Sequence, residues 1–540
     1  MTTTAAPTPA DLKPVFRPSM IARAIAFFSG TVGLVVKIVL LGLLNALAVW
    51  AATVLADRDK WPAFAVLLIC TAAIDAVYLV SQNRAIPAKF LVPGLVLLAA
   101  FQIAPIIYTV NVAFTNYSTG HILTKGQSIQ SIQQNSLQQP ANGAVYTLAY
   151  ARDSGGKLVE LLQDQNTGKT FVGTPKTLTE VPKSDFTIAG GAITGAKGYK
   201  LVPQNELFSI QGFNIPTGKG AEAIQPQGFT QAAVLEPTLK YSPKADTFTR
   251  IADGTVFRDN GSGSFVSASG AEELEPGWKT GVGTHNFGRV VHDPLISRAF
   301  LRVLLWTVAF AAFTVLFSFG IGLAVAMALD KPGMHFLRLY RSLLVIPYAV
   351  PGFLSLLVWS GLLNDDFGVV NRSIIHPILG TNVPWLFSDP WWARVSCIMV
   401  STWLTVPYFF LVSLGALQAI PSELVEAARV DGGGPWQIFR KVRLPLLLVA
   451  VAPLLIASFA FNFNNFNNIY LLTGGGPASN DQSIAGATDI LISYTWKLAF
   501  QAGKGNDYAL ASTIAILIFF IVATISAVSF WRTKALESLR

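Results

Sequence analysis

The chain has 540 residues, of which 52% are hydrophobic and only 13% are charged, and it carries a formal net charge of +9. Soluble globular proteins carry about 25% charged residues, so this composition excludes a soluble enzyme and a disordered chain and indicates a membrane protein. Eight membrane spans of roughly 20 residues need only about 160 residues. A large polar insert is therefore expected as well.

The basic residues are scattered between apolar runs, which is typical of topology signals and not of a nucleic-acid-binding surface. Both cysteines, Cys70 and Cys397, lie in apolar runs, so no disulfide is expected in the polar insert. The first apolar run is long enough to span a bilayer and is followed by no clear small-residue cleavage site. We therefore expect no cleavable signal peptide.

Eight apolar runs are each long enough to cross a bilayer core of about 30 Å. In chain order they are residues 31–56, 61–81, 90–113, 299–329, 342–363, 391–417, 444–463 and 508–531. Every second short connection, together with both tails, is rich in basic residues: Lys13, Arg17, Arg23, Arg84, Lys89, Lys331, Arg338, Arg341, Arg429, Arg440, Lys441, Arg443, Arg532, Lys534 and Arg540. The positive-inside rule then predicts eight transmembrane helices with both termini in the cytoplasm.

The polar insert is residues 115–298, between the third and fourth spans. Its apolar residues come in short alternating stretches, such as 254–257 and 264–267, which are joined by a turn at 259–263 that contains Asn260-Gly261. This pattern predicts a β-hairpin within a mainly β domain on the outer side of the membrane. Such a domain either contacts a soluble partner or acts as a structural lid.

The connection between the sixth and seventh spans carries the most specific motif. It reads Glu426-Ala-Ala-Arg-Val-Asp-Gly432, then nine residues, then Val442-Arg-Leu-Pro445. Pro421 and the hydroxyl of Ser422 predict the start of a short helix that the glycines after Asp431 end, and Pro435 predicts the start of a second short helix. The first helix either docks in a groove of a cytoplasmic protein or is an ordinary amphipathic loop helix.

This spacing resembles the EAA loop of ABC-importer permeases, with Val442 in place of isoleucine. The resemblance implies a docking site for a cytoplasmic ATPase dimer. Its residues would be Glu426, Ala427, Ala428, Asp431, Gly432 and Pro435. The chain has no G-x-x-x-x-G-K-[ST] sequence, so we expect it to be a transport subunit and ATP hydrolysis to occur on a partner.

The seventh span contains Phe461-Asn-Phe-Asn-Asn-Phe-Asn-Asn468. Asparagine inside a membrane is unfavourable unless it faces protein or water. On a continuous helix Phe461, Asn465 and Asn468 would share one face, with Asn462 beside it. Amides and aromatic rings suit hydroxyl-rich ring ligands, so the stretch predicts either a sugar path or hydrogen bonds between helices.

Prolines in two other spans predict helix breaks of the kind that line cavities. They are Pro347 and Pro351 in the fifth span and Pro407 in the sixth. With the segment Leu471-Leu-Thr-Gly-Gly-Gly-Pro477 and the large domain after the third span, these motifs resemble the MalF family, the larger permease subunits of maltose/maltodextrin ABC importers.

The resemblance implies the type I ABC importer permease fold. This is a polytopic α-helical membrane protein of eight transmembrane helices, with a large mainly β periplasmic domain inserted between helices 3 and 4. The implied parts are an N-terminal part (1–114), a periplasmic domain (115–298) and a core permease domain (299–540) with its EAA coupling loop (421–445). The implied location is the bacterial inner membrane.

The resemblance also implies function and partners. It implies import of maltose/maltodextrin-type oligosaccharides by alternating access, with a second permease of the MalG type, an ATPase dimer of the MalK type and a periplasmic maltose-binding protein. ATP and magnesium would bind to the ATPase and not to this chain. Carried over by motif, the sugar site falls on Tyr348, Gly352, Leu404, Thr405, Tyr408, Phe461, Asn462 and Asn465.

Two positions of that site depart from the family pattern. Gly352 stands where the pattern has serine, and Thr405 where it has glycine. One hydroxyl is thereby lost and another gained. The identity of the transported sugar therefore stays open, and another disaccharide such as trehalose is the alternative.

Two charges lie within the first two spans. Lys37 and Asp75 are at similar depths, which predicts a structural ion pair, or else a Lys37 that reaches the membrane surface while Asp75 is bonded elsewhere. An ion-coupled secondary sugar transporter that uses Asp75 is the competing function, and the EAA-type loop argues against it. A membrane enzyme is disfavoured because the five histidines are dispersed. Residues 490–500 predict a helix at the outer membrane interface.

Overall fold

The computed structural model describes residues 30–79, 86–141, 143–210, 212–217, 222–330, 334–479, 483–501 and 505–537. Several basic residues used for the predicted orientation lie outside the described residues, namely Lys13, Arg17, Arg23, Arg84, Lys331 and Arg540. The chain divides into two compact units, Met1–Ile107 and Tyr108–Arg540. The border between them falls inside a helix.

The first unit consists of helices whose apolar residues cover all sides. They are α1 (Thr31–Asp57), α2 (Trp61–Leu79) and most of α3 (Ile86–Ala113), which continues into the second unit. A helix that is hydrophobic all round is either buried in a large protein or surrounded by lipid. Most side chains of α1 and α2 are exposed in the chain alone and very few are buried, so lipid or a partner protein is their expected surrounding.

The predicted ion pair between Lys37 and Asp75 is wrong. Asp75 instead accepts a hydrogen bond from the Asn45 amide at 3.1 Å, and no ion pair joins it to Lys37 among the described residues. The tight turn between α1 and α2 sets this register, because Asn45 lies 12 residues before Asp57 and Asp75 lies 14 residues after Trp61. This confirms the part of the alternative prediction in which Asp75 is bonded elsewhere; a Lys37 that reaches the membrane surface stays a prediction.

The region after α3 is mainly β, as predicted. It begins with α4 (Lys125–Asn135) and continues through the strands β1 (Leu137–Gln138), β2 (Val145–Arg152), β3 (Leu158–Asp164), β4 (Thr170–Gly173), β5 (Leu178–Val181), β6 (Phe186–Ala189), β7 (Ala192–Ala196), β8 (Lys200–Leu201), β9 (Ile215–Pro216), β10 (Ala223–Pro226), β11 (Gln231–Pro237), β12 (Leu239–Ser242), β13 (Thr247–Arg250), β14 (Val256–Asp259), β15 (Phe265–Ser267) and β16 (Glu273–Leu274). The hairpin predicted around Asn260-Gly261 is confirmed, because β14 pairs with β15 in antiparallel register.

The strands form two main antiparallel sheets in the described part of the chain. The larger has the order β5-β4-β3-β2-β11-β10-β9, with β1 and β8 attached, and the smaller has the order β12-β13-β14-β15-β16. The larger sheet is buried on both faces, since Leu148 and Leu162 belong to one apolar cluster and Val159 and Leu161 to another. In the smaller sheet, Phe248, Phe257 and Phe265 pack with Ile132 of α4.

The transmembrane core follows the β region. Its helices are α5 (His285–His292), α6 (Pro294–Ala328), α7 (Leu337–Ala349), α8 (Gly352–Leu362), α9 (His376–Leu379), α10 (Pro390–Gln418), α11 (Ser422–Val430), α12 (Pro435–Phe463), α13 (Phe466–Thr473), α14 (Leu491–Phe500) and α15 (Tyr508–Glu537). Among the described residues, seven helices of the chain are long and apolar enough to cross a membrane, and the bent pair α7 and α8 makes an eighth span if counted as one. This agrees with the eight predicted spans.

Two details of the predicted spans are wrong. The helix break predicted at Pro407 does not occur, because α10 runs through this proline without interruption. The second short helix predicted from Pro435 is no separate element, because it continues through a π-helical turn into α12. A proline inside a long packed helix removes one hydrogen bond but need not end the helix.

A helix is confirmed within 490–500 as α14 (Leu491–Phe500), while its predicted location at the outer membrane interface stays a prediction. Its Tyr494 and Leu498 are buried in an apolar cluster with residues of α6 and α15, such as Val303 and Ile514. Asp489, at the start of α14, is buried and forms an ion pair with Lys497 at 2.7 Å. The helix is therefore an integral part of the core.

Candidate functional site

A cavity of about 530 Å³ lies where interrupted helices of the core meet. Three segments surround it: the bend between α7 and α8, the middle of α10, and the end of α12 with the start of α13. Its lining consists of Pro347, Tyr348, Val350, Gly352, Leu404, Thr405, Tyr408, Ala457, Ser458, Phe461, Asn465 and Asn468. The volume is within the range of small-molecule sites.

The fifth span bends at the cavity by 89°. The break falls at Val350 and Pro351, where Val350 takes an extended conformation (φ −80°, ψ 133°). Proline lacks an N–H and disfavours a helical conformation in the residue before it, so a helix ends there easily. Pro347 stays inside α7. The bend exposes Tyr348 and Gly352 to the cavity.

The seventh span is interrupted between Phe463 and Phe466. Asn465 is the N-cap of α13, and its side-chain oxygen accepts a hydrogen bond from the Asn468 N–H at 3.3 Å. Asparagine competes in this way with the helical backbone and favours caps. The prediction of a single continuous helical face through Phe461, Asn465 and Asn468 is therefore wrong, although all three side chains line the same cavity.

Seven of the eight residues carried over as a sugar site line this cavity, and Asn462 does not. Asn462 is buried, and its amide nitrogen donates to the Ser458 carbonyl at 2.9 Å. Its side-chain oxygen is buried without a hydrogen-bond partner. The helix turn before the break directs this side chain into the protein, where an unpaired amide oxygen is unfavourable.

The two departures from the family pattern have different surroundings. A side-chain carbon at Gly352 would meet nothing within 4 Å, so the space for a serine there is open. The Thr405 hydroxyl donates to the Ser401 carbonyl at 2.8 Å. Because its proton is used in this bond, the hydroxyl offers the cavity only acceptor capacity.

The cavity combines aromatic rings with uncharged polar groups. Tyr348 and Phe461 are more than half exposed, Tyr408 is half-buried, and every lining residue is uncharged. Amides and hydroxyls exchange hydrogen bonds with a polyhydroxylated ligand, and the rings offer flat apolar contact. An ionic ligand would find no countercharge among these residues.

Other lining residues were not among the predicted site residues. They are Pro347, Val350, Ala457, Ser458 and Asn468. Ser458 lies one helical turn before Phe461, so helical spacing alone could have identified it. Asn468 is buried and donates to the Ser401 hydroxyl at 3.0 Å, which links α13 to α10 beside the cavity.

The second predicted site is the helix α11 and the turn that follows it. Gly432 has a φ of +81°, its N–H donates to the Arg429 carbonyl, and the Gly433 N–H donates to the Ala428 carbonyl. This pair of bonds is a Schellman motif, which ends a helix on a left-handed residue. The predicted start was only partly right, because Pro421 is the N-cap and no side chain caps the helix.

The predicted coupling residues lie together on the surface of this turn. Glu426, Ala427, Asp431, Gly432 and Pro435 are exposed, and Ala428 is half-buried. Val425 and Ile438 are buried and line a small cavity together with Met327 of α6, so the segment lies against the core. Three exposed apolar residues beside it, Leu424, Val430 and Trp436, were not predicted as site residues. Exposed apolar residues next to a polar rim are typical of protein–protein contacts.

Two family models match the chain. The model described as the N-terminal part of the transmembrane subunit in PBP-dependent ABC transporters matches residues 96–176. The model of the binding-protein-dependent transport system inner membrane component matches residues 318–539, which include the cavity and the α11 turn. With its apolar helices, the chain is a multi-pass inner membrane protein.

Curated relatives match nearly the whole chain. The maltose/maltodextrin transport system permease protein MalF of Vibrio cholerae is 35% identical over 89% of this chain and 92% of that protein. MalF of Escherichia coli K12 is 33% identical over 92% of this chain and 96% of that protein. Among solved structures, a bacterial ABC transporter for the acidic polysaccharide alginate matches 47% of this chain at 20% identity with a TM-score of 0.41. The extent of the MalF matches shows that the chain belongs to the MalF family of ABC-transporter permease proteins.

Proposed function

We propose that this chain is the permease subunit of an ATP-driven importer of maltose/maltodextrin-type oligosaccharides. The sugar binds in the 530 Å³ cavity, on Tyr348, Gly352, Leu404, Thr405, Tyr408, Phe461 and Asn465. The observation that carries the proposal is the uncharged lining of this cavity, in which aromatic rings alternate with amides and hydroxyls. The relatives named for maltose/maltodextrin transport support the same class of substrate.

Energy comes from a separate ATPase dimer of the MalK type that docks on the α11 turn. The exposed turn after α11, the apolar residues Leu424, Val430 and Trp436 beside it, and the absence of a phosphate-binding loop motif from the sequence support this arrangement. A second permease of the MalG type completes the pathway, and a periplasmic maltose-binding protein delivers sugar to the β domain. Both termini are then cytoplasmic.

When nucleotide binding closes the ATPase, α11 moves with it as a rigid body. Because Val425 and Ile438 are buried against the core, the core helices move with α11. Ile438 lies on α12, whose other end carries Phe461 at the cavity. Movement at the turn is thereby transmitted along one helix to the sugar site. This is the kind of rigid-body coupling that alternating access requires.

The test is uptake of radiolabelled maltose by proteoliposomes that contain the assembled complex and ATP. Asn465→Ala removes an amide from the cavity, and we expect uptake to fall by about 10- to 100-fold, the cost of one or two lost hydrogen bonds to the sugar. Asn467→Ala is the matched control, because Asn467 is exposed and does not line the cavity. Unchanged uptake by Asn465→Ala would contradict the assigned site.

The same vesicles identify the sugar. We expect unlabelled maltose and maltodextrins to compete with labelled maltose and to stimulate ATP hydrolysis by the complex. Stronger competition by trehalose would reassign the substrate within the disaccharides. Uptake driven by an ion gradient without ATP would contradict the ABC-importer mechanism.

A further inference from the structure

A second concave surface of the core lies between α7 and α10. It is a groove of about 440 Å³ that shares no lining residue with the sugar cavity. Six apolar residues and two polar ones line it: Val345, Ile346, Ala349, Phe410, Leu411, Leu414, Arg341 and Ser342. Ile346 and Leu411 are about half exposed, so the groove opens on the outside of the chain.

The two polar residues lie at one end of the groove. Arg341 and Ser342 precede the apolar residues of α7, and the α7 side of the groove runs for about 12 Å along the helix at 1.5 Å per residue. Leu414 belongs to the last turns of α10, before the turn that leads to α11. The polar end is therefore at the membrane face that carries α11.

The guanidinium of Arg341 is held in place but has donors to spare. One of its terminal nitrogens donates to the Leu329 carbonyl at 3.0 Å, while its Nε is buried without a hydrogen-bond partner. A buried unpaired donor is unfavourable, and a charged one more so. Neither Arg341 nor Arg338, which is exposed one turn earlier, forms an ion pair in the described part of the chain.

We propose that this groove binds an anionic phospholipid, with one acyl chain along α7 and α10 and the headgroup phosphate on Arg341 and Arg338. The apolar length of the groove suits the chain, and the two cations at its end suit the phosphate. Basic pockets between transmembrane helices at the cytoplasmic face commonly bind anionic headgroups in this way. Arginine suits such a site because its planar fork matches phosphate oxygens.

This site is independent of the transported sugar. It requires only that the core is inserted in a membrane, and none of its residues contributes to the sugar cavity or to the exposed α11 turn. Bound lipid would hold α7 against α10, and α7 ends at the bend beside Tyr348. The lipid would then favour one position of that bend and thereby modulate transport.

The test is native mass spectrometry of the assembled complex, titrated with phosphatidylglycerol or with zwitterionic phosphatidylcholine. We expect tighter binding of phosphatidylglycerol to the wild type, and about fivefold weaker binding for each arginine removed in Arg338→Gln and Arg341→Gln. Arg341→Lys keeps the charge, so it should retain most of the binding and remains informative if Arg341→Gln fails to assemble. Arg532→Gln is the matched control, an exposed arginine on α15 that does not line the groove.

A second variant tests the apolar part of the groove independently of the two arginine charges. Leu411→Trp fills the apolar part and leaves both arginines intact, so it should weaken phosphatidylglycerol binding to the level of phosphatidylcholine. Equal binding of the two lipids to the wild type, or wild-type binding by the double arginine variant, would overturn the proposal. If the isolated chain bound phosphatidylglycerol but the assembled complex did not, the proposal would also be overturned, because the partner permease would then occupy the groove.

Discussion

Two of the helix interruptions in the candidate sites are built in opposite ways. At Asn464 and Asn465 the break between α12 and α13 is capped by a side-chain amide and faces the cavity. At Gly432 to Gly434 the break between α11 and α12 uses a left-handed glycine and faces outward. Under the proposed function, the first break acts through side chains that a ligand can contact. The second acts through the backbone conformation that presents α11.

The largest effect is expected at the glycine break. Gly432→Pro forces φ to about −65° where the structure has +81°, and it removes the N–H that donates to Arg429. We expect the α11 turn to change shape, so that ATP-dependent maltose uptake falls to background while the chain still inserts. The measurement is uptake together with co-purification of the ATPase.

Its matched control is Gly434→Ala. Gly434 has an ordinary φ of −71°, and a side-chain carbon there would meet nothing within 4 Å. Uptake should stay at the wild-type level. If Gly432→Pro also keeps full uptake, the backbone shape of this turn has no part in coupling.

A smaller effect is expected from a substitution of Asn465 that keeps its role as a helix cap but changes its contact with the ligand. Asn465→Asp keeps a good N-cap for α13 but removes the amide donor and places a charge in an uncharged cavity. We expect maltose uptake to fall at least about 10-fold, with thermal stability closer to wild type than that of Asn465→Ala, which also loses about 1 kcal/mol of capping. Wild-type uptake by the aspartate variant would mean that Asn465 acts only as a cap.

A still smaller effect concerns sugar preference. Gly352→Ser restores the hydroxyl of the family pattern in space that is open in the structure. One additional hydrogen bond is worth about 0.5–1.5 kcal/mol, so the ratio of maltose to trehalose uptake should change by about 2- to 10-fold with little loss of stability. Gly361→Ser is the control, because its surroundings are equally open and it does not line the cavity. An unchanged ratio would mean that the sugar does not contact the cavity wall at Gly352.

The contrast between the two breaks also explains which features were predictable. Long apolar runs and the Asn260-Gly261 hairpin depend on local composition and turn chemistry, so sequence patterns identified them. Which proline ends a helix is not local: Pro351 ends one, whereas Pro347 and Pro407 do not. That outcome depends on how neighbouring helices compensate for the lost hydrogen bond.

The predicted shared face of Phe461, Asn465 and Asn468 failed for the same reason, because it assumed a continuous helix past Phe463. Asn462 is a different case: it lies on α12 before the break, and its assignment to the sugar site followed the family pattern alone. The capping bond of Asn465 ends that helix and rotates the following residues. The Lys37–Asp75 pair failed for a related reason, because depth was counted from uncertain helix ends and not from the turn that sets the register. In both cases a side-chain hydrogen bond that residue counting does not include decided the geometry.

A third connection, in the β domain, is held by a carboxyl group and is expected to respond to pH. Glu160 on β3 is fully buried, and its Oε1 accepts a hydrogen bond from the Phe213 N–H at 3.0 Å while Oε2 has no partner. Burial raises the pKa of Glu160 to about 7, although the hydrogen bond from Phe213 opposes this shift. The facing Tyr150 has its pKa raised to about 12, by burial and by Glu160, so it stays protonated.

Because the folded-state pKa of Glu160 lies above its unfolded value of 4.5, its contribution is fully present below about pH 4.5 and is lost as pH rises through 7. Between pH 5 and pH 8 the free energy of unfolding of the β domain should fall by about 2–3 kcal/mol from this group. Hydrogen–deuterium exchange of the full chain, corrected for intrinsic rates, should show faster exchange in β3 and at Phe213 at the higher pH. Glu160→Gln should remove that pH dependence while maltose uptake at pH 6 stays near the wild-type level, since the side chain lies in the β domain and lines no part of the cavity. The same pH dependence in Glu160→Gln would assign the effect to another group and contradict the role given to this carboxyl.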